Sequence, residues 1–233
     1  MRKALLLARR EIVEQYSDRG AALRALFFVA LPITLVLLNR GQGNRGFDAI
    51  ILLFALQAAL LPTATAINAA AGSFAAEKEA QTLVPLLAAP IRDIDIVAGK
   101  LIAVLAPAAG LALVSLAAYD VAASSVFGGA RIAALLAPAT LYGLFALAVF
   151  FIMTVGAWVM VVSARVGSQR TAQQIAGFVL GGMIVALSTI ASVIQNIPTE
   201  LVVGVVAAVL VSDVVALELA RRLWNREEAV ARV

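Results

Sequence analysis

Cysteine and histidine are both absent from this chain of 233 residues. Without thiols there is no disulfide framework and no thiolate metal site. Without imidazole, the commonest metal ligand and proton shuttle is missing, and no metal site is expected. Charged residues are scarce, at 14%, while 63% of the chain is apolar; soluble globular domains carry about a quarter charged and about half apolar residues. No cluster of carboxylates stands at a helix end, which argues against an enzyme embedded in a membrane. Long soluble stretches are missing too, so no second core is expected beside a membrane domain. The small positive excess of +4 does not point to nucleic acid. The opening MRKALLLARRE holds too short an apolar run for a secretory signal.

What remains is apolar sequence, with a mean hydropathy of +0.99. It divides into six stretches long enough to cross a bilayer at about 1.5 Å of rise per residue: residues 20–38, 47–74, 95–118, 132–162, 175–194 and 201–220. The fold expected is all-α: a polytopic membrane protein of six transmembrane helices, with an amphipathic helix before them and a coupling helix between the second and third. Residues 1–19 make the N-terminal interfacial helix, 20–220 the membrane domain with its coupling segment at 74–100, and 221–233 a charged tail. In the first of these, Leu5, Ala8, Ile12 and Tyr16 recur at helical spacing, while Arg10, Glu14 and Asp18 line another face. That pattern suits a helix lying on a membrane surface with its basic residues toward anionic headgroups. Of the 18 basic residues, only Arg40, Arg45 and Arg131 fall on the side opposite the termini. The positive-inside rule then sets both termini in the cytoplasm of a cell inner or plasma membrane.

The most polar interruption between apolar stretches is FAAEKEAQTLVPLLAAPIRDIDIVAGK, residues 74–100. Glu77, Lys78 and Glu79 stand just past the end of a long helix. Thr82 is placed to cap a short helix whose first turn tolerates Pro85; Leu83, Val84, Leu86 and Leu87 form its apolar side and Pro90 stops it. Asp93 or Asp95 is placed to cap the next span. A short amphipathic helix held between two spans offers a soluble partner an apolar knob with charged flanks. Reversing the charge of Glu77 is expected to uncouple that partner from the membrane helices.

These residues resemble the signature of ABC-type exporter permeases of the second class, which includes drug, polysaccharide, sodium and haem exporter subunits. In that pattern an acidic and basic pair, here Glu77 to Glu79, precedes Thr82-Leu83 and Leu86-Leu87, then Pro90, then a helix opening with Gly99-Lys100. SARVGSQRTAQQIAG is similar to the segment joining the family's fourth and fifth spans. The chain departs from the pattern at Gln81, where glycine is usual, at Pro85, and at Ile91-Arg92, where a hydroxyl is common. The loop at 39–46 is short, which resembles the compact haem-exporter subunit of cytochrome c maturation, whereas the segment after the fourth span is closer to drug exporters. The resemblance implies two copies of a separate ATPase subunit, a homodimer of permeases, and ATP and Mg bound by the partner. It implies no cofactor and no chemistry in this chain. No nucleotide loop is present, because Gly99-Lys100 is preceded by Ile94 where a Walker A loop needs glycine and followed by Leu101 where it needs a hydroxyl.

Three further groups are candidates. Gly177 and Gly181 form a small-residue stripe that lets a second helix approach, at a dimer seam or within one bundle. Gln57, Thr63, Thr65 and Asn68 line a substrate path or hydrogen-bond across helices. Asp213 is the most deeply placed acid; it is an ion site, the basis of a self-contained carrier or channel, or the partner of Arg221 or Arg222 two turns on.

Overall fold

The computed structural model describes residues 2–16, 19–41, 47–79, 92–178, 181 and 199–223. Among these residues every regular element is a helix. In chain order they are α1 (Arg2–Tyr16), α2 (Arg19–Leu38), α3 (Asp48–Leu60), α4 (Thr63–Glu79), α5 (Asp93–Phe127), α6 (Gly129–Leu135), α7 (Pro138–Arg165), α8 (residues 169–178) and α9 (Thr199–Leu223). Among the described residues, three stretches are long and apolar enough to cross a membrane, Asp48–Glu79, Asp95–Phe127 and Pro138–Arg165, and a shorter apolar helix covers Ala25–Leu38. The coupling residues Thr82, Leu83, Leu86, Leu87 and Pro90 lie outside the described residues, as do most of the fifth expected span and the tail.

Proline and glycine decide where the long apolar stretches divide. The span expected at 47–74 is interrupted at Leu61-Pro62 and runs on to Glu79. Pro62 has no amide to donate and its ring crowds the preceding turn. The chain tightens there, Ala64 N donating to Leu61 O at 3.1 Å and Thr65 N to Pro62 O at 2.9 Å. The over-long stretch at 132–162 divides likewise, because Pro138 opens α7 and the residue before it is driven out of the helical region. The loop expected at 119–130 is instead mostly helix, α5 continuing to Phe127. Gly128, at φ +94°, ends it in a conformation that side chains with a Cβ disfavour.

The chain forms two compact units. One comprises Met1–Arg9, Ile67–Val104 and Met153–Val233; the other comprises Arg10–Ala66 and Leu105–Ile152. In the second, α2 packs on α3. The start of α3 is tied to the end of α5 and to α6. Arg131 Nε and Nη2 donate to Asp48 Oδ1 at 3.0 and 2.5 Å, the buried Tyr119 hydroxyl donates to Ile51 O at 2.6 Å, and Phe47 meets Phe127 at 5.5 Å between ring centroids. In the first unit the C-terminal part of α4 packs against α5 and α7, and α1 packs against α5. This packing positions the candidate site.

Candidate functional site

α4 ends and α5 begins on either side of residues 80–91, and their facing ends are tied together. Lys100 on α5 is 1% exposed. Its ammonium donates to Glu77 Oε1 at 2.8 Å and to the Ser73 carbonyl, and lies 5.2 Å from the Phe74 ring centroid. The charge is therefore met by a carboxylate, a backbone dipole and an aromatic face, which together offset its removal from water. Lys78, one position on from Glu77, turns to α7 instead. Its ammonium donates to Ala164 O and, at 3.5 Å, to Val166 O. These are carbonyls that the end of a helix leaves without an amide partner, and a cation is favoured there. Glu79 is exposed. The acidic and basic triplet read from the sequence thus splits: two members tie helices together and one faces outward.

Ser163 makes the third tie. Its hydroxyl donates to Ala71 O at 2.8 Å and accepts from Phe74 N at 3.2 Å and Ala75 N at 3.0 Å. In the same turn of α4, the Ser73 hydroxyl donates to Ala70 O at 2.6 Å. A side chain of α7 thus enters the backbone ladder of α4 at the level of Lys100.

Small residues make the approach close. A Cβ on Gly99 would meet the Ala4 carbonyl oxygen at 2.9 Å and Leu7 at 3.1 Å, one on Gly72 would meet the Gln169 side chain at 3.2 Å, and one on Gly156 would meet Val104 at 3.1 Å. The Gly99 contact is with backbone, so α1 sits on α5 only because this position has no side chain. Ala4 and Ala8 of α1 are buried. The Gly99-Lys100 pair therefore has two separate structural uses: the glycine seats the N-terminal helix and the lysine holds the end of α4.

The other candidates fall elsewhere. Thr65 uses its hydroxyl on Pro62 O at 2.7 Å, within the break between α3 and α4. Thr63 is 1% exposed and its hydroxyl has no partner among the described residues. Gln57 and Asn68 are half-buried. Among the described residues, nothing lies within 4 Å of a Cβ built on Gly177 or Gly181, and their neighbour Phe178 is 84% exposed. Asp213 is buried on α9 and accepts from Thr154 Oγ1 of α7 at 3.0 Å. The Arg221 and Arg222 side chains expected to partner it are outside the described residues. Ser163, Thr154 and Gly156 carried no motif. Their signal was that they are small or hydroxyl-bearing positions in an otherwise apolar helix, which is where membrane helices pack and hydrogen-bond.

Long apolar helices held by buried polar ties, with proline breaks re-satisfied locally, define a helical membrane protein, and polar ties gather at the two helix ends that flank residues 80–91. The sequence pattern of the ABC-2 family transporter proteins matches residues 8–203, and the chain belongs to that family. It is a permease, the membrane component of an ABC transporter, a class of machine that works with an ATPase. No curated protein matches the chain.

Proposed function

We propose that this chain is the membrane subunit of an ATP-driven exporter. Two copies form the transport path, and two copies of a separate ATPase, which hold ATP and Mg, grip the segment at residues 80–91. The chain performs no chemistry. All six spans cross the bilayer, both termini and the coupling segment face the cytoplasm, and α1 lies on the inner surface. The observation that carries this reading is the Glu77–Lys100 pair at 2.8 Å. It joins the two helices that bracket the segment, so a load on residues 80–91 moves α4 and α5 together instead of flexing their connection. Lys78 and Ser163 extend the same body to α7. The open faces of Gly177 and Gly181 support the homodimer. The haem-exporter variant of this function shares the same mechanics and differs in cargo.

The test is co-reconstitution with the ATPase subunit. The wild-type chain raises ATP hydrolysis, and Leu86→Asp with Leu87→Asp removes that stimulation while leaving the chain folded. Unchanged stimulation in this variant would overturn the reading. A second reading, a self-contained ion-driven carrier, rests on the burial of Asp213. It predicts transport without any ATPase, abolished by Asp213→Asn.

A further inference from the structure

α9 carries a single charged residue between Glu200 and Glu218, and it is buried. Asp213 is 1% exposed. One carboxylate oxygen, Oδ2, accepts from Thr154 at 3.0 Å; the other, Oδ1, is buried with no hydrogen-bond partner among the described residues. α7, which supplies Thr154, has no charged residue before Arg165, eleven positions further on, and the first basic residue of α9 is Arg221, eight positions past Asp213. The walls are apolar: one turn along each helix, Ala157, Val161 and Ala216 form a buried cluster with Leu217 against it. The exception is Trp158, 36% exposed, whose indole donates to Ser212, next to Asp213 in the chain, at 3.1 Å.

Among the described residues, no basic side chain meets this carboxyl group. An intramembrane acid is costly unless something pairs with it, and a lone hydroxyl satisfies only part of its capacity. The choice of ligand follows from what surrounds it. A hard metal ion needs about six oxygen ligands; the side-chain oxygens here are those of Asp213, Thr154 and the neighbouring Ser212, well short of that number. A delocalised organic cation needs none of that coordination. It needs an acid that can ionise to meet it, apolar walls and an aromatic face; Asp213, the cluster of Ala157, Val161 and Ala216, and Trp158, bonded to the neighbouring Ser212, are the groups that would supply them.

We propose that Asp213 is the charge-recognition residue for a lipophilic organic cation, with Thr154 orienting the carboxylate and Trp158 supplying the ring. In this conformation the helices are closed over it. The proposal rests on the permease reading, for which it names the substrate class.

The test uses the purified full-length chain in lipid nanodiscs, without an ATPase, so that it is independent of coupling. Tetraphenylphosphonium is the probe and triphenylphosphine oxide its neutral counterpart. Asp213→Asn weakens binding of the cation by about tenfold or more, equivalent to about 1.4 kcal/mol, and leaves binding of the neutral compound unchanged. Thr154→Val produces a smaller loss. In the wild-type chain, the phosphonium also protects Asp213 from carbodiimide labelling, read by peptide mass spectrometry, which needs no folded variant. Equal phosphonium affinity in wild type and Asp213→Asn, or labelling unaffected by the phosphonium, would overturn the proposal. Protection by sodium chloride alone would overturn it in favour of a metal-ion site. Cation binding without any stimulation of the ATPase would instead sink the exporter reading and leave this one standing.

Discussion

Glu77 and Lys100 are 23 residues apart in the chain and 2.8 Å apart in space. The lysine is almost wholly buried, while its partner's side chain keeps 21% of its surface. Removing one member of such a pair leaves an uncompensated charge, and the loss is about 3–5 kcal/mol for fully buried pairs. Glu77→Ala is expected near the lower end of that range because the Ser73 carbonyl still holds the ammonium. Arg131→Ala removes a pair whose side chains keep 28% and 39% of their surface, and is expected to lose about 1 kcal/mol or less. Unfolding in mixed micelles, with a double-mutant cycle on Glu77 and Lys100, checks the difference. Equal losses at the two pairs would contradict it.

The same pair changes what charge reversal at Glu77 does. Glu77→Lys sets a second ammonium against the buried Lys100, so a folding defect is expected to accompany any uncoupling. Combining it with Lys100→Glu should restore part of the lost stability. A normal melting temperature for Glu77→Lys alone would show that Lys100 is not held as described.

Gly99→Val places a side chain where the Ala4 carbonyl oxygen would be 2.9 Å from its Cβ. Overpacking of this kind costs about 1–3 kcal/mol, and here the simplest relief is for α1 to leave α5. Trypsin should then cut at Arg9 and Arg10 several-fold faster than in the wild-type chain. Cleavage at an unchanged rate would mean that α1 is seated by other contacts.

Ser163→Ala withdraws the acceptor used by the Phe74 and Ala75 amides and the donor to Ala71 O. Groups left unsatisfied in a buried site cost about 1–3 kcal/mol each, although the α4 ladder can recover part of that by closing. Faster amide exchange confined to residues near 74 and 75, read by mass spectrometry, is the expected result. Exchange as slow as in wild type would indicate that α4 needs no bond from α7.

A Cβ at Gly177 or Gly181 meets nothing within 4 Å among the described residues, which bears on Gly177→Leu and Gly181→Leu. The single chain should therefore be as stable as wild type or slightly more so, because leucine favours a helix over glycine by about 0.8 kcal/mol. If the stripe is the dimer seam, cross-linked dimer should fall several-fold in the same samples. Loss of stability without loss of dimer would place these glycines inside one bundle.

Much of the architecture was legible from composition, because a chain so poor in charge has few ways to be anything but membrane helices. The helix starting at Arg2, and those opening near Arg19, Asp93 and Thr199, follow from apolar runs bounded by charge. The interruptions at Pro62 and Pro138 were visible as residues but not as breaks, since neighbouring membrane helices often absorb a proline. The extension of α5 to Phe127 was missed because its polar-looking stretch, YDVAASS, has no helix breaker before Gly128. The pairing of Glu77 with Lys100 was beyond any local rule: both belonged to one motif, but periodicity says nothing about residues on separate helices. For Asp213 the arginine side chains expected as partners on its own helix lie outside the described residues; the bond that is described goes to Thr154, on another helix.

The proposed grip of an ATPase on residues 80–91 from the cytoplasmic side is directly measurable, because the chain has no cysteine. A single Leu87→Cys chain, carrying no other thiol, is treated with a membrane-impermeant maleimide and, separately, with a short cross-linker in the presence of the ATPase subunit. Labelling is expected in inside-out vesicles only, together with a cross-linked permease–ATPase product that diminishes when free maleimide is added first. Labelling from the outside of intact cells, or no cross-link with ATPase demonstrably bound, would contradict it.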